Sequence, residues 1–271
     1  MADRFVPVVA DPLRVVTGYV RKTLVIAELE VRKLRHDPIE LLTRAIQPTL
    51  WLLVFGQVLS RTRAIPTGSL GYMTFMAPGI LAQSVLFIAI FFGIAIIWER
   101  DLGVVHKLLA TPTPRTALVL GKALSAGVRA LSQVVVVYLL AVLLGVKINW
   151  NVLALAGVLS VVILGAAFFS SLSLIIACVV KTRERFMGIG QILTMPLFFA
   201  SNAIYPISIM PGWLQAIAHI NPLTYEVDAL RALMVVGGTS LFGVGADMGI
   251  LLAATMILVI IGGSMYPNIA I

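Results

Sequence analysis

Long apolar segments alternate with short polar ones along most of the chain. Six of these segments hold about 20 or more largely apolar residues, the length that a helix needs to cross the hydrocarbon layer of a membrane. They cover residues 39–59, 77–98, 116–146, 148–180, 186–218 and 248–266. Because lipid offers no hydrogen-bond partner to a backbone amide, each crossing is predicted to be helical. The pattern therefore predicts an all-α polytopic membrane protein with six transmembrane helices.

The composition excludes a water-soluble protein. Of the 271 residues, 60% are hydrophobic and only 12% are charged, which leaves too little polar surface to cover a soluble globule. A soluble enzyme and a free-standing DNA-binding domain are therefore ruled out. The net charge of +8 would elsewhere indicate nucleic acid. The placement of the basic residues favours membrane orientation instead, and no nucleic-acid partner is expected.

Most of the 20 lysines and arginines lie on one side of the six predicted spans. They precede the first span or fall between spans two and three and between spans four and five, whereas the opposite loops hold Arg61, Arg63, Lys147 and Arg231. Cytoplasmic loops carry the excess of basic residues in membrane proteins. Both termini are therefore predicted to be cytoplasmic, an N-in, C-in topology.

The segment before the first span predicts an amphipathic helix that lies in the membrane interface. Apolar residues in 13–35 recur at steps of three and four, and the charged residues follow another face. The charged residues that we assign to it are Arg21, Glu28, Arg32 and Arg35. An anchor for anionic lipid and a docking surface for a cytoplasmic partner are equally weighted interpretations. We divide the chain into a cytoplasmic segment, 1–38, and a transmembrane domain, 39–271.

Residues 98–110, between spans two and three, predict a short cytoplasmic helix lying across the membrane face. Trp98, Leu102, Val105 and Leu109 have helical spacing. Thr111-Pro-Thr-Pro-Arg115 then ends the helix. A plain interfacial loop and an element that couples to a partner are both open interpretations of this segment.

The outer segment from Pro206 to Pro222 predicts a re-entrant helical hairpin. Trp213 suits the outer aromatic belt, and Asn221-Pro222 follows the short helix predicted around it. Asp228 and Arg231 follow, and such charges must face water or protein because exposure to lipid is costly.

Motifs for catalysis and metal binding are missing from the sequence. It has no G-x-x-x-x-G-K-[ST] phosphate loop, no H-E-x-x-H, no G-x-S-x-G turn and a single cysteine, Cys178. We therefore predict no catalytic residue, no metal site and no cofactor in this chain. No carboxylate is predicted near the middle of a span, which disfavours an ion-coupled secondary transporter. For Arg129, inside the third span, packing is favoured over substrate contact.

Two motifs resemble those of ABC-2 type exporter permeases, the membrane subunits of daunorubicin-resistance, nodulation-factor and polysaccharide export systems. Trp98-Glu-Arg-Asp-Leu-Gly, followed by Leu108-Leu109-Ala-Thr-Pro, is similar to the family's E-R-x-x-G-T…L-L-x-T-P. The outer segment resembles P-x-x-x-x-P-x-W-L…N-P-x-x-Y…D-A-L-R, which is the more specific motif. One departure is Val104, where the family often has threonine.

The resemblance implies a permease subunit that works with two copies of a separate ABC ATPase, which binds the ATP and magnesium. A second permease subunit, identical or closely related, would complete the pathway. Residues 15–35 would form the connecting helix, and residues 98–110 would couple to the ATPase. The coupling residues carried over are Trp98, Glu99, Arg100, Asp101, Leu102, Gly103, Lys107 and Leu109.

Glu99 is the strongest single candidate among the coupling residues. Its carboxylate is expected to pair with a basic residue of the connecting helix or of the ATPase. The first, second and fifth spans would flank the path, and the outer hairpin would cap it.

The expected function is export of an amphipathic or hydrophobic substrate, such as a drug, lipid, polyketide or glycan, across the plasma (inner) membrane of a prokaryote. Membrane lipid is an expected contact of the chain. Two alternatives stay open: an ion-coupled secondary transporter, and a membrane assembly subunit that transports nothing. A neighbouring reading frame with G-x-x-x-x-G-K-[ST] would favour the exporter.

Overall fold

The computed structural model describes residues 18, 21, 23, 25, 28, 38–62, 65–68, 70–111, 113–180 and 182–267. This part of the chain is almost entirely helical, as the apolar pattern predicts. Its extended pairing is confined to an isolated antiparallel bridge between Ile148 and Val235. That bridge ties the loop after the third predicted span to the end of the outer hairpin.

From Pro38 onward, ten α-helices follow one another along the described chain. They are α1 (Pro38–Leu50), α2 (Gln57–Thr62), α3 (Tyr72–Asp101), α4 (Val104–Leu109), α5 (Arg115–Leu143), α6 (Val152–Val179), α7 (Arg183–Phe199), α8 (Gly212–Ile220), α9 (Pro222–Met234) and α10 (Val244–Met265). A π-helical turn, Trp51–Gly56, joins α1 to α2, and a 3₁₀ turn, Ile207–Ile209, precedes α8.

Four helices, α3, α5, α6 and α10, are long and apolar enough to cross a membrane. The protein is therefore a multi-pass membrane protein. The first predicted span falls on α1, the π turn and α2, which are 13, 6 and 6 residues long. The fifth falls on α7, of 17 residues. The predicted segment holds this span and a tail, and the tail lies beyond a turn at Ala200, where the chain forms separate short elements.

Helix α3 lies at the centre of the bundle and packs against α5, α6, α7 and α9. Small residues allow this close approach. Gly93 of α3 has no room for a side chain, since Ser173 of α6 and Phe186 of α7 fill the space. The Ser173 hydroxyl also donates to the Ile90 carbonyl, and the Gly93 amide donates back to Ser173 Oγ at 3.0 Å. Three neighbouring helices are thus fixed to one another.

The single helix predicted over residues 98–110 is wrong. Residues 98–101 form the last turn of α3, and α4 begins only at Val104. Gly103 separates them because its backbone is left-handed, with φ of 71°, a conformation that strains most other residues. The predicted apolar stripe is consequently broken: Val105 is buried, whereas Trp98 is 49% and Leu102 71% exposed.

Candidate functional site

The ends of α3 and α5 that are predicted to be cytoplasmic are joined by an ion pair. Lys122 Nζ lies 2.6 Å from each carboxylate oxygen of Glu99. The two side chains are only 6% and 12% exposed, respectively. Among the described residues, Glu99 therefore pairs with Lys122 on α5 of the same chain, and a further partner on the connecting helix or the ATPase stays a prediction. The pairing joins residues far apart in sequence, so helical periodicity gave no signal for it.

A second contact joins the same end of α3 to α7. The Arg183 guanidinium carbon lies 3.8 Å from the centre of the Trp98 ring. Its Nη2 donates to Asp101 Oδ2 at 2.6 Å, and Arg100 Nη2 lies 2.9 Å from Asp101 Oδ1. Arg183 is absent from the predicted site, because the sequence marks it only as one basic residue in a short loop. We call Trp98, Glu99, Asp101, Lys122 and Arg183 the inner joint.

Helix α4 extends from the inner joint with one apolar anchor and an exposed polar side. Val105 is buried with Ile96 of α3 and Leu118 of α5, and Leu109 packs beside them. Lys107 is exposed. The predicted coupling residues therefore have different surroundings. Glu99 lies in a buried ion pair, Trp98 and Leu102 are exposed, and Lys107 lies on the exposed side of α4.

The predicted connecting helix is described only at scattered positions. Arg21 and Glu28 are helical and exposed. Arg32 and Arg35 lie outside the described residues. The connecting helix therefore stays a prediction.

Arg129 lies deeper in α5, beyond Lys122. Its guanidinium carbon is 5.5 Å from the centre of the Phe92 ring of α3, a cation–π distance. The side chain thus faces the neighbouring helix α3, as the favoured packing interpretation requires.

The Asn-Pro motif of the outer hairpin connects α7 to α9. The Asn221 Oδ1 accepts from the Leu223 amide at 3.0 Å, and Pro222 occupies the first helical turn. The Nδ2 of Asn221 donates to the carbonyls of Leu197 and Ala200 at 2.7 and 3.0 Å. One side chain thus caps the start of α9 and satisfies carbonyls at the end of α7, which have no helical partner.

Asp228 of the Asp-Ala-Leu-Arg motif holds the loop that leads into α10. Its Oδ2 accepts from Ser240 Oγ at 2.7 Å and from the Leu241 amide at 2.6 Å. The same Ser240 hydroxyl lies 2.9 Å from Asp247 Oδ2. Asp228 is completely buried, so its charge faces protein and not lipid.

Arg231 of the same motif ties α9 to α3. Its Nη2 donates to the Asn202 carbonyl at 2.6 Å, and its guanidinium carbon lies 3.9 Å from the centre of the Phe75 ring. Burial lowers the pKa of Arg231 to about 10, so the guanidinium is still charged at neutral pH. We call Asn202, Asn221, Asp228, Arg231 and Ser240 the outer lock.

Two other predicted hairpin residues lie outside these contacts. Pro206 precedes the 3₁₀ turn, and Trp213 is exposed in the first turn of α8.

Glu226, which sequence reasoning left out of the site, is completely buried, and its carboxyl packs on Gly165 of α6. Burial raises the pKa of Glu226 well above its usual value. Helices α8 and α9 are not among the four described helices that are long and apolar enough to cross a membrane.

The chain is similar over most of its length to known membrane permeases. A family model described as ABC-2 type transporter matches residues 21–235. A putative transport permease of Cyanophora paradoxa is 28% identical over 219 residues, which are 79% of this chain and 74% of that protein. A daunorubicin resistance ABC transporter permease protein of Streptomyces coeruleorubidus is 28% identical over 221 residues, 82% of this chain and 76% of that protein. Nodulation protein J of Rhizobium meliloti is 28% identical over 182 residues, 66% and 68% of the two chains.

Proposed function

Because the chain belongs to the ABC-2 type transporter family, we propose that it is the permease subunit of an ATP-binding-cassette exporter. It forms the substrate path and is driven by separate ATPase subunits. Members of this family are membrane subunits and not ATPases. The partner supplies the phosphate-binding loop and holds ATP and magnesium, in two copies for each pair of permeases.

The inner joint is the observation that carries this proposal. Work done by a partner reaches a membrane domain only through elements that are fixed to both. The buried Glu99–Lys122 pair fixes α3 to α5, and Arg183 fixes α7 to α3. A displacement of α4 by the partner would therefore be transmitted to three helices together, while Lys107 is left exposed to meet the partner's surface.

A second copy of the chain would complete the pathway. Helix α1, the π turn and α7 leave large apolar side chains uncovered, among them Ile46, Phe55 and Ile192. These belong to the first and fifth of six spans in the proposed N-in, C-in topology. Contiguous exposed apolar surface on a membrane protein is covered by lipid or by another subunit. The same helices flank the path in the proposed dimer.

The proposed cargo is amphipathic or hydrophobic. Support comes from the relatives' names, which refer to daunorubicin resistance and to nodulation. The proposed location of the complex is the plasma membrane of a prokaryote. The outer lock would hold the hairpin that caps the path.

Purification under mild detergent from membranes of the native host tests the proposal. The tagged chain should bring down a protein with G-x-x-x-x-G-K-[ST] at about one copy for each permease. Isolation of the chain without any such protein, under conditions where a control ABC exporter keeps its ATPase, would contradict it.

A further inference from the structure

A small cavity with both polar and apolar walls lies between helices, about midway along them, with the exposed Thr43 at its edge. Its volume is about 250 Å³. Helices α1, α3 and α5 bound it, and its lining residues are Thr43, Gln47, Ser84, Phe87, Ile88, Phe91 and Gln133. The inner joint lies at the ends of α3 and α5 and contributes no residue to this lining. Polar side chains at this depth are usually hydrogen-bonded within the protein, because lipid offers them no partner.

Gln133 is the residue that indicates a ligand. Its side chain is 1% exposed, and no described residue forms a hydrogen bond with either its amide oxygen or its amide nitrogen. A buried amide that lacks partners destabilises the fold, so such groups are usually satisfied by protein, water or ligand. An occupant of the cavity that both donates and accepts hydrogen bonds would satisfy both atoms of this amide.

The other walls define the chemistry of that occupant. Phe87 and Phe91 stand side by side, with ring centres 5.9 Å apart and planes tilted by 30°. They offer aromatic surface for a flat ring. Ser84 donates its hydroxyl proton to the Ile80 carbonyl at 2.8 Å, so its oxygen is left as an acceptor. Every lining side chain is uncharged at neutral pH, which disfavours an ionic group in the cavity.

We propose that this cavity is a substrate subsite for an uncharged aromatic ring system that carries hydroxyl or carbonyl groups. Gln133 binds those groups through its amide, and the ring packs against Phe87 and Phe91. The volume is below the 300 Å³ or more that is usual for pockets holding a whole drug-sized ligand. The subsite therefore takes one ring system of a larger molecule. This inference rests on the proposed export function, because the occupant is the cargo.

The probe for this site is 1,4-dihydroxyanthraquinone, and anthracene is the control of similar shape without hydrogen-bonding groups. The full chain is placed in lipid nanodiscs, and probe fluorescence is titrated with empty nanodiscs subtracted. We expect saturable binding of the hydroxylated probe. Gln133→Leu should weaken it at least tenfold, while anthracene should bind equally to both proteins. Gln83→Leu is the matched control: Gln83 is a buried glutamine of α3 that does not line the cavity.

Three results would overturn the subsite. These are no saturable binding, equal affinity in wild type and Gln133→Leu, or equal loss in Gln83→Leu. Thermal unfolding separates binding from packing, because removing an unpaired amide should leave the melting temperature of Gln133→Leu unchanged or higher. A lower melting temperature would assign Gln133 to packing. The binding assay contains no ATPase, so it tests the subsite alone. The permease proposal fails separately, if a transport assay shows no ATP-driven export.

Discussion

Lys122 Nζ lies 2.6 Å from the carboxylate of Glu99, although the two residues belong to different helices. The pair therefore connects the last turn of α3 to the second turn of α5. Both side chains are largely shielded from water, so each charge stabilises the other. This makes the pair a structural connection as well as a candidate element of coupling.

Removing one partner of this pair should destabilise the fold more than removing both. Glu99→Ala removes the carboxylate that lies 2.6 Å from the buried Lys122 ammonium, and breaking a buried pair in this way costs about 3–5 kcal/mol. The double variant Glu99→Ala with Lys122→Met should recover most of that loss. Unfolding of the four proteins in detergent measures the cycle. Equal stability of Glu99→Ala and wild type would contradict the structural role.

Arg183 should be needed for coupling and not for ATP hydrolysis. Its guanidinium both stacks on Trp98 and pairs with Asp101. Lysine has no planar guanidinium group that could make both contacts at once. Arg183→Lys is expected to lower transport severalfold while the ATPase activity of the reconstituted complex stays near wild type. Arg185→Ala, an exposed change in the same turn of α7, is the control. Full transport by Arg183→Lys would remove Arg183 from the coupling path.

The two ends of the bundle should differ in access to an impermeant thiol reagent. In a Cys178→Ala background, Trp213→Cys should react from outside intact cells, because Trp213 is exposed at the end predicted to be external. Leu102→Cys should react only after the cells are opened, since Leu102 lies between α3 and α4. The reverse pattern would contradict the proposed N-in, C-in topology.

Glu226 should make the protein less stable as the pH rises. Its raised pKa means that the folded chain keeps a proton that the unfolded chain loses above about 4.5. Stability is therefore fully present below that value and falls with increasing pH toward the folded pKa. Glu226→Gln should flatten the melting temperature between about pH 5 and 8 and raise it at the upper end. The exposed Glu184→Gln is the control, and an unchanged slope in Glu226→Gln would show that Glu226 is ionised in the fold.

Periodicity along the chain predicted the helices that cross the bundle well, because a run of apolar residues is a local signal. The boundaries of α5 and α6 lie within a few residues of the predicted ones. The residues of the predicted outer motif contact α7 and the loop before α10, but that role depends on contacts such as Asp228 with Ser240 that no spacing reveals.

The predicted coupling helix failed for a local reason that the sequence contains. Gly103 interrupts the stripe from Trp98 to Leu109, and its left-handed backbone separates α3 from α4. Long-range pairing explains the other omissions. Neither Lys122 nor Arg183 can be recognised from the sequence as a partner of α3, because these contacts are set only by the packing of the bundle.

The central claim, that ATP hydrolysed by a separate subunit drives export through this chain, is tested most directly in proteoliposomes. The chain and its co-purified ATPase are reconstituted with a labelled cargo of the native host, and cargo movement is followed on addition of ATP and magnesium. The account predicts ATP-dependent transport that disappears when the lysine of the partner's phosphate-binding loop is replaced by alanine. Transport by the chain alone under a proton gradient, or transport that persists with the inactive ATPase, would contradict it.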